Sequence, residues 1–96
     1  MGRAARLKPE RLPEKLLRIR FALELSQSQM VKHLDLDDLI YPNNISGYET
    51  GEREPPLPIV LRYARAANVW ADVLIDDELD LPDELPSRRK SAGVSR

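Results

Sequence analysis

The 96-residue sequence has no cysteine, one histidine, one tryptophan, one phenylalanine and four glycines. Without cysteine there is neither a disulfide framework nor a thiolate metal site, and the redox compartment cannot be read. No apolar run approaches the roughly 20 residues of a membrane span, and the Arg-rich N-terminal stretch lacks the apolar core of a secretory signal, so a soluble, cytoplasmic chain is expected. Neither a Gly-rich phosphate loop, nor an internal repeat, nor an alternating strand pattern is present. His33, the lone histidine, sits on an amphipathic stretch and suits a surface or packing role better than that of a base or ligand. Asp37-Asp38 and Asp76-Asp77-Glu78 lack the alternating spacing and glycine of a calcium loop. No enzyme, cofactor or metal is expected.

Charge is present in abundance and unevenly placed. The formal net charge is only -1, from 15 basic and 16 acidic residues. Yet Arg3, Arg6, Lys8, Arg11, Lys15, Arg18 and Arg20 face only Glu10 and Glu14 at the N-terminal end. Asp72 to Glu84 carries carboxylates without Lys or Arg, and Arg88, Arg89, Lys90 and Arg96 follow. One face of the molecule can therefore be positive although the whole is mildly acidic. The length allows one core. Residues 1–12 read as a flexible basic arm, 13–78 as the folded domain, and the Pro-rich acidic and basic stretch 79–96 as a disordered tail.

Within the domain, apolar spacing and capping residues outline five helices. Leu16, Leu17, Ile19, Phe21 and Leu23, after Pro13 in a first turn, predict a helix from Pro13 to Glu24. Ser26-Gln27-Ser28-Gln29 matches a capping box, so a second helix starts at Gln27 and buries Met30, Val31 and Leu34. Pro42 opens a short third helix that turns Ile45 and Tyr48 inward and stops at Gly51. Ile59, Val60, Tyr63, Ala64 and Ala67 outline a fourth, ended by Asn68. Ala71 to Asp77 makes a fifth, with Val69 and Trp70 covering the bottom of the core. The fold class is all-α.

Two short helices joined by a connection, the second offering small polar side chains near its start, suit a DNA major groove about 12 Å wide. Arg20, Leu25-Ser26-Gln27, Met30-Val31, Leu34, the run from Ile45 to Pro55 (ISGYETGEREP), Leu61, Ala64, Ala67, Asn68-Val69 and Val73-Leu74 together resemble the Xre/Cro lambda-repressor-like helix-turn-helix family over roughly residues 16–75. The resemblance implies a DNA-binding transcriptional regulator, a repressor by expectation, acting as a homodimer on duplex DNA. It further implies that Arg20 pairs with Glu49 to fix the third helix against the scaffold. Asn43, Asn44, Ser46 and Gly47 match groove-facing positions, although paired Asn residues can also simply start a helix. Gln27 and Ser28, at the start of the second helix, and Arg53, after the third, match phosphate-contacting positions.

The sequence departs from the family in two respects. Between Leu36 and Ile45 it holds about four more residues than the family's compact turn, and Asp35 stands where a turn glycine is usual. Asp37, Asp38, Glu52 and Glu54 would repel nearby phosphates. The basic arm, from Arg3 to Arg11, suits either phosphate contact or solubility. Trp70, Val73, Leu74 and Ile75 suit either a shared dimer surface or packing under the first helix. A rival expectation is a DNA-binding antitoxin or a protein-interaction adaptor using the acidic loop or the C-terminal tail.

Overall fold

The computed structural model describes residues 7–86. Five helices follow one another: α1 (Leu12–Ala22), α2 (Gln27–His33), α3 (Pro42–Thr50), α4 (Leu57–Ala67) and α5 (Ala71–Ile75). There is no strand among the described residues. Several boundaries have a local cause. At α2 the Ser26 hydroxyl accepts from the Gln29 amide at 3.0 Å, and the Gln29 side chain accepts from the Ser26 amide at 2.8 Å, completing the capping box. Gly51 ends α3 with φ +85°, and Asn68 ends α4 with φ +61°, the left-handed conformation that releases a chain from a helix. Asp35, in place of the turn glycine, takes φ +60°, which a short polar side chain tolerates.

Packing follows the apolar spacing. Leu12, Leu16 and Ile19 of α1, Met30 and Val31 of α2, Ile45 and Tyr48 of α3, Ile59, Val60, Tyr63, Ala64 and Ala67 of α4, and Leu74 of α5 are buried together. Leu34 and Val69 join them as expected. Helix α3 packs against both α1 and α2, and α5 against α1 and α4. Of the α5 residues expected to serve either the core or a dimer surface, Leu74 is buried and Val73 partly buried, while Ile75 is exposed. Trp70, expected to cover the core, is 48% exposed. Phe21 also faces outward, with the Arg20 guanidinium 5.1 Å from its ring centroid.

The ordered body reaches beyond both expected boundaries. Leu12 begins α1, and the Glu10 and Arg11 amides donate to the two Asp77 carboxylate oxygens at 2.9 and 3.0 Å. At the other end Leu81 is buried, Leu85 packs on the core, and the Asn68 side-chain Nδ2 donates to the Pro86 carbonyl at 3.1 Å. A Pro-rich, acidic composition disfavours a helix, but it does not prevent an irregular segment from anchoring itself by two leucines and a few hydrogen bonds. Arg3, Arg6 and the tail from Ser87 onward lie outside the described residues.

One buried charge organises this junction. Lys15 is fully buried, and its ammonium donates to the carbonyls of Val73 (2.8 Å), Asp76 (3.1 Å) and Leu79 (2.8 Å). All three N–H donors are thus satisfied by the end of α5 and the segment after it. Burial holds the Lys15 pKa below its ordinary value, with the nearby Arg11 acting in the same direction. Nothing in the local pattern of α1 marks Lys15 as a core residue.

Candidate nucleic-acid interface

Helix α3 is short, and its orientation is set from outside. Arg20 Nε donates to Glu49 Oε2 at 2.6 Å and Nη2 to Oε1 at 3.0 Å, a bidentate pair. The two side chains are 12% and 4% exposed. Arg20 Nη1 also donates to the Leu25 carbonyl at 3.0 Å, tying the α1–α2 turn to the same point. The Glu49 hydrogen bond is the main cause that raises the Arg20 pKa. A paired, largely desolvated guanidinium and carboxylate fix geometry more than they add stability. The Gln27 amide joins them, Nε2 donating to Glu49 Oε1 at 3.2 Å, so α1, α2 and α3 meet at one carboxylate.

On α3 the exposed positions fall on one side. Asn43 and Thr50 are exposed and Ser46 half-buried, at spacings of three and four that share a helix face. Ile45 and Tyr48 occupy the opposite side and pack in the core. Asn44 is half-buried, and its Oδ1 accepts from the Tyr41 amide at 2.9 Å, so it acts at least as a helix start. Ser28 is exposed beside the half-buried Gln27. Thr50 was not singled out in the sequence, although its spacing from Asn43 and Ser46 carried the signal.

Gly47 departs from the expectation of an open groove-facing position. It is buried, because the Arg53 side chain lies over it. A Cβ at Gly47 would stand 2.8 Å from Arg53 Cδ and 3.0 Å from Cγ, and the Arg53 amide donates to the Gly47 carbonyl at 3.1 Å. A mid-helix glycine costs about 0.5–1 kcal/mol against alanine, and here the space explains its presence.

The basic arm divides at Lys8. The Arg11 guanidinium, part of the arm read as suiting either phosphate contact or solubility, is taken up by Asp80 at 2.6 Å and the Asp77 carbonyl at 2.8 Å. Its pKa is raised chiefly by the Asp80 hydrogen bond. Lys8 instead lines a hollow with Glu10, Thr50, Gly51, Arg53 and Glu54, beside the C-terminal end of α3. Glu10 and Glu54 line the same hollow as Lys8 and Arg53, without a hydrogen bond or ion pair to Arg53 among the described residues, and their charge dilutes the positive potential on this flank.

The long α2–α3 connection stands at the other end of α3. Leu36 is buried, and Arg62 of α4 donates to the carbonyls of Leu34 (2.7 Å) and Asp35 (3.2 Å), so the start of the loop is pinned. Asp37 and Asp38 are exposed, as are Leu39 (72%) and Tyr41 (76%). No group of three or more His, Asp or Glu side chains among the described residues is arranged to hold a metal ion, and no described helix is long and apolar enough to cross a membrane. No protein-family model, no curated protein and no solved structure matches the chain.

Proposed function

We propose that this chain is a sequence-specific duplex-DNA-binding regulator of the Xre/Cro lambda-repressor-like type, lying in the major groove along α3. The observation that carries the reading is the Arg20–Glu49 pair. It joins a scaffold helix to a short helix whose outward row, Asn43, Ser46 and Thr50, is small, polar and uncommitted to the core. Such a row suits base edges, with Asn able to bond adenine at N6 and N7. In this reading Gln27 and Ser28 on α2 meet the DNA backbone, and Lys8 adds positive charge on the other flank. One helix of nine residues reads few base pairs, so a homodimer on a palindromic site is the expected active form. Repression by occupying the site is the simplest action for such a domain.

The test is selection from a randomised duplex library by the full-length protein across a salt series. A short enriched site, with affinity falling steeply with salt and lost in the Asn43→Ala, Asn44→Ala variant, supports the reading. Flat, weak binding with no enriched site overturns it.

A second reading is favoured by one observation. Leu39 and Tyr41 stand exposed beside Asp37 and Asp38, a surface suited to a protein partner with apolar and basic groups. An adaptor or antitoxin would then bind its partner through this loop or through the tail. Deleting residues 87–96, rather than the expected 79–96, tests the tail without removing buried Leu81.

A further inference from the structure

We propose that Arg53 supplies the base-reading side chain that α3 lacks at position 47, and that the base it reads is guanine; the assignment rests on the DNA-binding reading above. Positions 43, 47 and 50 form one row on the helix, spaced by four and three. Its ends carry Asn43 and Thr50, and its centre carries no side chain. Arg53 fills the gap. The position a Gly47 Cβ would take lies 3.4 Å from Arg53 Cβ, 3.0 Å from Cγ and 2.8 Å from Cδ, so the stem lies down across the helix instead of standing away from it. The Arg53 amide, bonded to the Gly47 carbonyl at 3.1 Å, holds the base of that stem in place.

The head of the side chain is differently situated from the other interface groups. Arg53 is exposed, and no hydrogen bond or ion pair among the described residues engages its guanidinium. The Arg20 and Arg11 guanidiniums, by contrast, are both committed to carboxylates. An arginine with a seated stem and an uncommitted fork is preorganised for two acceptors side by side. On the floor of the major groove that pair is guanine O6 and N7. Phosphates also accept a fork, but they line the groove walls and are met by helix ends and loop tips. A stem lying along the outward row of the groove-facing helix carries its fork toward the floor. The family resemblance implied a phosphate contact for Arg53, because nothing in the sequence shows that the loop folds back over α3.

The test uses the full-length chain, the site it selects, and duplexes bearing each single-base replacement of that site. For the wild type, one guanine in each half-site is expected to be required. In Arg53→Ala, discrimination at that position should fall by roughly 5- to 100-fold while preferences elsewhere persist. Arg53→Lys, which keeps the charge and loses the fork, should lose most of the same discrimination. Gly47→Ala should flatten that position with Arg53 intact and with helix content by circular dichroism retained, since a Cβ evicts the stem while alanine favours the helix. If Arg53→Ala weakens every duplex equally and lowers the salt slope by about one, Arg53 is a phosphate contact and the assignment falls while the DNA reading stands. The assignment also falls if Gly47→Ala leaves all preferences unchanged. A wild-type protein that selects no site overturns the DNA reading and the assignment together.

Discussion

Arg20 and Glu49 meet through two hydrogen bonds, of 2.6 and 3.0 Å, and this pair adds a polar tie to the packing of the first helix against the third. Losing one partner leaves the other desolvated and unpaired, a loss of about 3–5 kcal/mol. Arg20→Met is therefore expected to lower stability by that amount in urea unfolding. The double variant Arg20→Met, Glu49→Leu should recover much of it, because two apolar groups leave no buried charge. A single-variant loss below about 1 kcal/mol, the range of surface pairs, would remove the pair as the anchor of α3.

Lys15 is expected to be as sensitive, for a different reason. Lys15→Met keeps the volume but leaves the Val73, Asp76 and Leu79 carbonyls without their donor. Stability should fall by about 2 kcal/mol or more, at roughly 1–3 kcal/mol for each buried polar group left unmatched. Hydrogen exchange should rise first in residues 71–81, the segment that the ammonium holds. Uniform exchange across the domain would contradict a local clamp.

Tyr63 is fully buried, and its hydroxyl has no hydrogen-bond partner among the described residues. Tyr63→Phe is thus expected to be neutral or mildly stabilising. Burial raises the Tyr63 and Tyr48 pKa values above the ordinary tyrosine range. The unfolded chain therefore ionises first as pH climbs past about 10, and stability should fall there. That alkaline loss should be shallower in Tyr63→Phe, as followed by melting temperature between neutral pH and pH of about 11. An equal slope in both proteins would show that Tyr63 is not the group responsible.

Asp77 accepts the Arg11 and Glu10 amides, and these bonds hold its pKa below the usual carboxylate range; the Arg11 side chain does the same for Asp80. A depressed folded pKa means that the contribution is present above the unfolded value of about 3.9 and is lost as pH falls through the folded one. Asp77→Ala should melt below the wild type at neutral pH, and the difference should close in strong acid. The same variant removes the carboxylate that holds the Glu10 and Arg11 amides, so a DNA affinity that depends on how residues 10 and 11 are anchored should drop with it. A gap that stays constant into strong acid would show that the carboxylate charge is not what matters.

Much of the helix layout was legible because its causes are local. The Ser26–Gln29 capping box, the Gly51 and Asn68 stops and the apolar rows of α2 and α4 act within a turn or two, so residue order alone expresses them. Phe21 misled because an apolar residue adjoining a buried face need not belong to it, and at 62% exposed it lies under Arg20 instead. The expected break after Glu78 failed for a comparable reason. Composition reports that 79–86 will not form a helix, and is silent about whether Leu81 and Leu85 find a surface to cover.

By itself the sequence determined the all-helical architecture, the starts at Gln27 and Pro42, the stops at Gly51 and Asn68 and the single core, since periodicity and capping are short-range physics; the first and fifth helices end two residues earlier than their apolar spacing suggested. Only the tertiary structure decided which polar groups are committed and which remain open. Lys15 bonds carbonyls 58, 61 and 64 residues away, Gln27 turns to Glu49, Arg11 is drawn to Asp80, and Arg53 settles over Gly47. Those choices depend on how the packed helices bring distant donors and acceptors within 3 Å or so, a distance that hydrogen bonding demands and that spacing along the chain does not encode.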